Sequence, residues 1–230
     1  MRFTSQTLFI DADDTLWENN IYFEAVVHRY CDRLALCGIA PAVARDTLLG
    51  IERIRTKSHG YGIGNFADAM REARRRLLGT IDAEEMAAIE EDCAGIRRVA
   101  MELLPGVART LRELCGRHRV ILLTKGDPDD QLAKVHRSGL RRFLHSVDVV
   151  KEKDAATYRD AIARHGVRPD AAWMIGNSPR SDVLPAIEAG LGAVFVPHPA
   201  TWVLEMQELP ASLPGRFLRL DRFEQLVHHF

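Results

Sequence analysis

Four short apolar runs in the second half of the chain constrain its fold most: RVILLT (119–124), SVDVV (146–150), AAWMIG (171–176) and GAVFVP (192–197). Between them stand helix-like segments, DDQLAKVHRSGL, DAATYRDAIARHG and SDVLPAIEAG, each ending in a glycine that can stop a helix. Strands that are apolar from end to end are covered on both faces. Their alternation with helices therefore predicts a parallel sheet with helices on both sides. One more run, TLFID (7–11), stands alone near the start. A five-residue strand has no stability by itself, so it belongs to the same sheet. RFLRL (216–220) offers an edge strand.

Between roughly 19 and 104 the pattern is helical, with no convincing strand. Tyr22, Ala25, Val26, Arg29, Tyr30 and Leu34 keep helical spacing up to Gly38. Pro41 opens a second helix, Asn65 is the expected cap of a third that stops at Gly79, and Asp82 is the expected cap of a fourth. Four helices without strands make a bundle-like unit, inserted into the α/β unit after its first strand. The chain has 230 residues, enough for one domain with such an insertion. Between two of these helices lies KSHGYGIGNF (57–66), read as a glycine-rich loop able to contact a substrate.

The net charge of −1 provides no field for nucleic acid or an anionic membrane. The basic run REARRR (71–76) spreads around a helix as a solvated face. No apolar run approaches the ~20 residues that span a bilayer. The start of the chain lacks a signal-peptide pattern. Cys31, Cys37, Cys93 and Cys115 fit no zinc spacing, so a cytoplasmic protein with free thiols is expected. The histidines, among them His198, His228 and His229, are read as surface groups.

Chemistry belongs at the carboxyl ends of such strands. The first ends in LFIDADDTLW (8–17), with Asp11, Asp13 and Asp14 within four positions. The second ends at Thr124 and Lys125, the third near Lys151 and Lys153, and the fourth in GNSPRSD (176–182), with Asn177, Ser178 and Asp182. Carboxylates this close need a positive compensator. Carboxylate, hydroxyl and ammonium together make an inventory for phosphoryl transfer: a nucleophile, charge neutralisation and a proton donor. A hard cation would take the carboxylate oxygens.

DADDTL, LLT, the lysine near 153 and GNSPRSD, in that order, resemble the four motifs of the haloacid dehalogenase-like hydrolase superfamily. The resemblance implies a Rossmann-like core from 1–16 and 105–230 and a helical cap from 17–104. It implies a Mg²⁺-dependent phosphatase acting on a small phosphorylated metabolite through an aspartyl phosphate. Asp11 would be nucleophile and metal ligand, Asp13 general acid and base with its carbonyl on the metal, and Asp182 a metal ligand. Thr124, Lys125 and Lys153 would bind the phosphoryl group, with Thr15, Asn177 and Ser178 in support. Of the two candidate lysines, KDAATY (153–158) favours Lys153. Asn177 stands where the family often has an aspartate, and Asp14 where it usually has glycine; no chemical role is assigned to Asp14. A dehalogenase, a phosphomutase and a non-catalytic phosphate-binding relative are the alternatives. Asp13 argues against the dehalogenase, in which that second aspartate is usually absent.

Overall fold

The computed structural model describes residue 3 and residues 5–230. The reading that excludes a signal peptide falls partly on residues 1, 2 and 4, outside them. The chain divides into two compact units, one of Met1–Asn20 with Met101–Phe230 and one of Ile21–Ala100.

The first unit is built on a sheet of six parallel strands among the described residues: β1 (Thr7–Ile10), β2 (Arg119–Lys125), β3 (Ser146–Val150), β4 (Ala172–Gly176), β5 (Gly192–Phe195) and β6 (Phe217–Arg219). Their order is β3-β2-β1-β4-β5-β6. The lone first strand thus lies at the centre, with Phe9 in register with Ile121 on one side and Met174 on the other. The order reverses across β1, which puts the topological switch point where β1 ends.

Side chains alternate across β1. Leu8 and Ile10 join Val107, Leu111, Trp173 and Phe230 in one core, whereas Phe9 joins Tyr158, Ile162 and Met174 in another. All of β1 is buried, as expected for a strand with helices on both faces. The helices are α5 (Val107–Cys115), α6 (Pro128–Arg137), α7 (Ala155–His165) and α8 (Leu184–Glu188). Each fully buried Leu, Ile or Phe contributes about 1.5–3 kcal/mol.

The other unit consists of α1 (Asn20–Leu36, its first residue in the α/β unit), α2 (Pro41–His59), α3 (Ile63–Leu78) and α4 (Ala83–Arg98). Its core packs Tyr30, Leu34, Leu48, Ile51, Phe66, Met70 and Ile89, and the Tyr30 hydroxyl donates to the Met70 carbonyl at 2.8 Å. Asp82 caps α4 by accepting from the Glu85 amide. Three expectations are corrected. Asn65 does not cap α3, which already begins at Ile63 after Gly62. The Asn65 side chain instead bonds the Gly60 carbonyl and Arg55. Gly60 and Gly62 have φ of 78° and 130°, so the turn closes in three residues. Most of KSHGYGIGNF is therefore helix and not loop. The basic run is also not uniformly solvated: Arg74 is buried against Asp82 and Glu85.

In α2, burial pushes the Glu52 carboxyl up to about 7, and the Glu24 charge adds to this against Arg45. An acid whose folded value lies above its unfolded one stabilises below the unfolded value, and that contribution is lost as pH rises through the folded value. Unfolding of the protein should therefore become easier between about pH 4.5 and 7. Glu52→Gln should raise stability at pH 8 by about 2 kcal/mol and leave pH 4 unchanged; urea titrations at both pH values check this.

No helix among the described residues is long and apolar enough to cross a membrane.

Candidate active site

Asp11 leaves the end of β1 with its amide still donating to the Ile175 carbonyl of β4 at 2.9 Å. The chain then turns tightly, with Thr15 and Leu16 amides both donating to the Ala12 carbonyl. Asp14 sits in the left-handed region at φ 58°, a conformation that Asp tolerates better than most residues. Its carboxylate accepts the Asn19 and Asn20 amides at 2.9 and 3.0 Å. Asp14 thus holds the loop to the start of α1, a function beyond replacing glycine. Burial pushes its carboxyl up to about 7.

Four strand ends converge. The Lys153 ammonium, with a side chain 2% exposed, donates to Asp11 and, at 2.8 Å, to Asp182. Lys151 is exposed, so Lys153 is the lysine brought to the acids. Burial pushes the Asp11 carboxyl up to about 7; Lys153 opposes this and Asp182 adds to it. The Thr15 hydroxyl lies 3.1 Å from both Asp11 Oδ2 and Asn177 Oδ1, which share its one proton, and the Asn177 amide nitrogen donates to Thr201.

GNSPRSD forms one π-helical turn over Pro179–Val183. The Ser178 amide donates to Asp182 Oδ2 at 2.9 Å. A Cβ on Gly176 would lie 2.1 Å from that oxygen, so only glycine lets Asp182 lie over the end of β4. Tyr158 on α7 donates to the Ser181 carbonyl at 2.8 Å and packs the turn from beneath.

Asp13 is held by other partners. Lys134 Nζ lies 2.8 and 2.9 Å from its two oxygens, Gln131 donates at 2.9 Å and the Trp17 indole at 2.7 Å. Burial works to raise its carboxyl, but Lys134 and then Gln131 and Trp17 outweigh this and hold it below the usual range. Thr124 is buried at the end of β2 and donates to Gln131 Oε1 at 3.3 Å. Lys125 is engaged by a different set of groups. Its ammonium donates to Glu205 and Ser181 at 2.7 and 2.8 Å and lies 3.1 Å from Glu152. It must leave those partners to bind a phosphate. Glu205 also accepts from the Ser178 and Ser181 hydroxyls.

Gln131, Lys134, Glu205 and His198 join the site without being marked by any of the strand-end motifs. The first two follow Thr124 on one helix face, a signal that was present. Glu205 and His198 approach only through tertiary folding. His198 stands 3.2 Å from Glu18 and 3.9 Å from Asp14, a carboxylate–imidazole group whose ligand atoms lie within 4.8 Å of one another.

A family model described as haloacid dehalogenase-like hydrolase matches residues 6–190. The chain belongs to the haloacid dehalogenase-like hydrolases. This hydrolase is 26% identical over 182 residues to a phosphoserine phosphatase from Thermus thermophilus, covering 76% of this chain and 70% of that one. A haloacid dehalogenase-like hydrolase from Xanthomonas campestris superposes with a TM-score of 0.79 at 25% identity, over 96% of this chain and 92% of the other. The L-2-haloacid dehalogenase of Xanthobacter autotrophicus superposes at 0.67 with 20% identity, over 97% of both, a likeness of fold.

Proposed function

We propose that this hydrolase is a cytoplasmic Mg²⁺-dependent phosphatase that cleaves a small phosphomonoester through an aspartyl phosphate on Asp11. The observation that carries this reading is the single ammonium of Lys153 between two buried carboxylates, Asp11 and Asp182, with the ionised carboxylate of Asp13 two residues on. An oxygen-only donor set of two carboxylates with the Asp13 carbonyl suits a small hard cation. When bound there, Mg²⁺ supplies charge neutralisation on a phosphoryl oxygen.

Asp11 attacks phosphorus, and the P–O bond to the leaving alcohol breaks. Asp13, ionised at rest, first takes a proton from solvent, gives it to that leaving oxygen and then takes one from the water that hydrolyses the acyl phosphate. Thr124, at the end of β2, and Lys153 hold the phosphoryl oxygens, while Thr15 fixes Asp11 Oδ2. By resemblance, the helical unit corresponds to the family's substrate-selecting cap. A dehalogenase needs no acid at position 13. Asp13 therefore favours the phosphatase, and a phosphorylated amino acid of the kind named for the Thermus relative heads the substrates to try.

The test is turnover of a panel of phosphorylated metabolites, including phosphoserine, beside a 2-haloacid. Phosphate should be released with Mg²⁺ and not in EDTA. Asp182→Asn should raise the Mg²⁺ needed for half-maximal rate by at least ~10-fold. Halide release without phosphate release, or full activity in EDTA, sinks the reading.

A further inference from the structure

The turn after β2 delivers α6 to the site. Gly126 has φ 141°, and a Cβ there would press the Gln131 side chain at 3.0 Å. Asp127 caps α6 by accepting the Asp129 and Asp130 amides. Gln131 and Lys134, three residues apart, then share a face. Gln131 accepts from Thr124 through one amide atom and donates to Asp13 through the other. Lys134 engages both Asp13 oxygens and, at 2.7 Å, Asn19 Oδ1. Its side chain is 12% exposed, so this pair is neither a solvated surface contact nor free to reorient.

We propose that Lys134 is a positioning residue that holds the Asp13 carboxylate in the orientation its proton transfers require, with Gln131 coupling that orientation to Thr124. The site's charge is then divided between two lysines: Lys153 serves Asp11 and Asp182, and Lys134 serves Asp13. The inference rests on the phosphatase reading. An acid–base group must lie within hydrogen-bond reach of its proton, and a displacement of about 1 Å can cost about 10²-fold in rate. Lys134 need not touch substrate.

The experiment is a double-mutant cycle with Lys134→Met and Asp13→Asn, using p-nitrophenyl phosphate and Mg²⁺. In the wild-type background Lys134→Met should lower kcat by about 10²-fold and leave KM within about threefold. In the Asp13→Asn background it should cost nothing further, because its effect runs through Asp13. A purely structural role would give the same loss in both backgrounds and overturns the proposal, as does an unchanged kcat. A loss carried by KM would instead place Lys134 on the substrate, against the proposal. The same four proteins are melted without substrate, where the clamp requires non-additive shifts in melting temperature; additive shifts overturn it. If the wild type hydrolyses no phosphoester, the phosphatase reading fails, and the melting cycle still decides the clamp.

Discussion

Asp11→Asn should abolish phosphate release, by at least ~10³-fold in kcat, while the protein stays folded. The expectation follows from what the position does in each state. In catalysis the carboxylate oxygen forms the bond to phosphorus, and an amide cannot replace it. In folding, the Asp11 carboxylate is a burden: burial raises it to about 7 in spite of Lys153. Its folded value is above its unfolded one, so stability is lost as pH rises through about 7. Asparagine is neutral; its oxygen can accept from Lys153, which stays paired with Asp182, while its NH2 donates to the Thr15 hydroxyl, which donates to Asn177. Metal-free Asp11→Asn should therefore melt no lower than wild type at pH 8 and show a smaller decline than wild type between about pH 4 and 7, the Asp14 and Glu52 shares remaining. Melting curves in EDTA, beside phosphate assays with Mg²⁺, check both halves. Retained turnover would remove Asp11 as the nucleophile.

What the sequence conveyed and what it withheld follow from the range of the forces involved. Buried parallel strands must be apolar along their whole length, so β2 to β5 stand out with bounds within two residues. The helix α5 does not, because it is nine residues long behind Pro105 and Gly106 and its buried face, Val107, Thr110, Leu111 and Leu114, includes a polar residue. Cap chemistry is local and points to Asn65, but Gly60 and Gly62 close the turn sooner and Ile63 and Phe66 are buried in helix. At the site, residues at strand ends could be gathered by topology alone, and Asp11, Lys153 and Asp182 do meet. The partners that arrive from elsewhere carry no such signal. Glu205 follows the last long strand and takes the ammonium of Lys125. His198 approaches Glu18 and Asp14 from a loop far along the chain. The third aspartate, without chemistry in the sequence, is the bracket that fixes the Asn19 and Asn20 amides.

Lys153→Met should be the most destabilising single change at the site. Methionine fills a similar volume but removes the ammonium that contacts both Asp11 and Asp182, whose side chains are 11% and 1% exposed. Breaking a buried pair by deleting one partner typically costs about 3–5 kcal/mol, because the remaining charge is uncompensated. For a chain of this size that corresponds to roughly 10 °C in melting temperature. The cost depends on pH. At pH 5 a proton on Asp11 can replace the ammonium, since that carboxyl is already raised by burial, so the loss should be small there and grow toward pH 8. It also depends on cations. If Asp11 and Asp182 are ligands of Mg²⁺, adding it at pH 8 should raise the melting temperature of Lys153→Met more than that of the wild type, where the lysine competes for the same oxygens. Phosphate release should remain absent throughout, because the phosphoryl oxygens have lost their ammonium. Equal shifts with Mg²⁺ in both proteins would show that the two carboxylates do not share a cation, and an unchanged melting temperature at pH 8 would show that Lys153 compensates nothing.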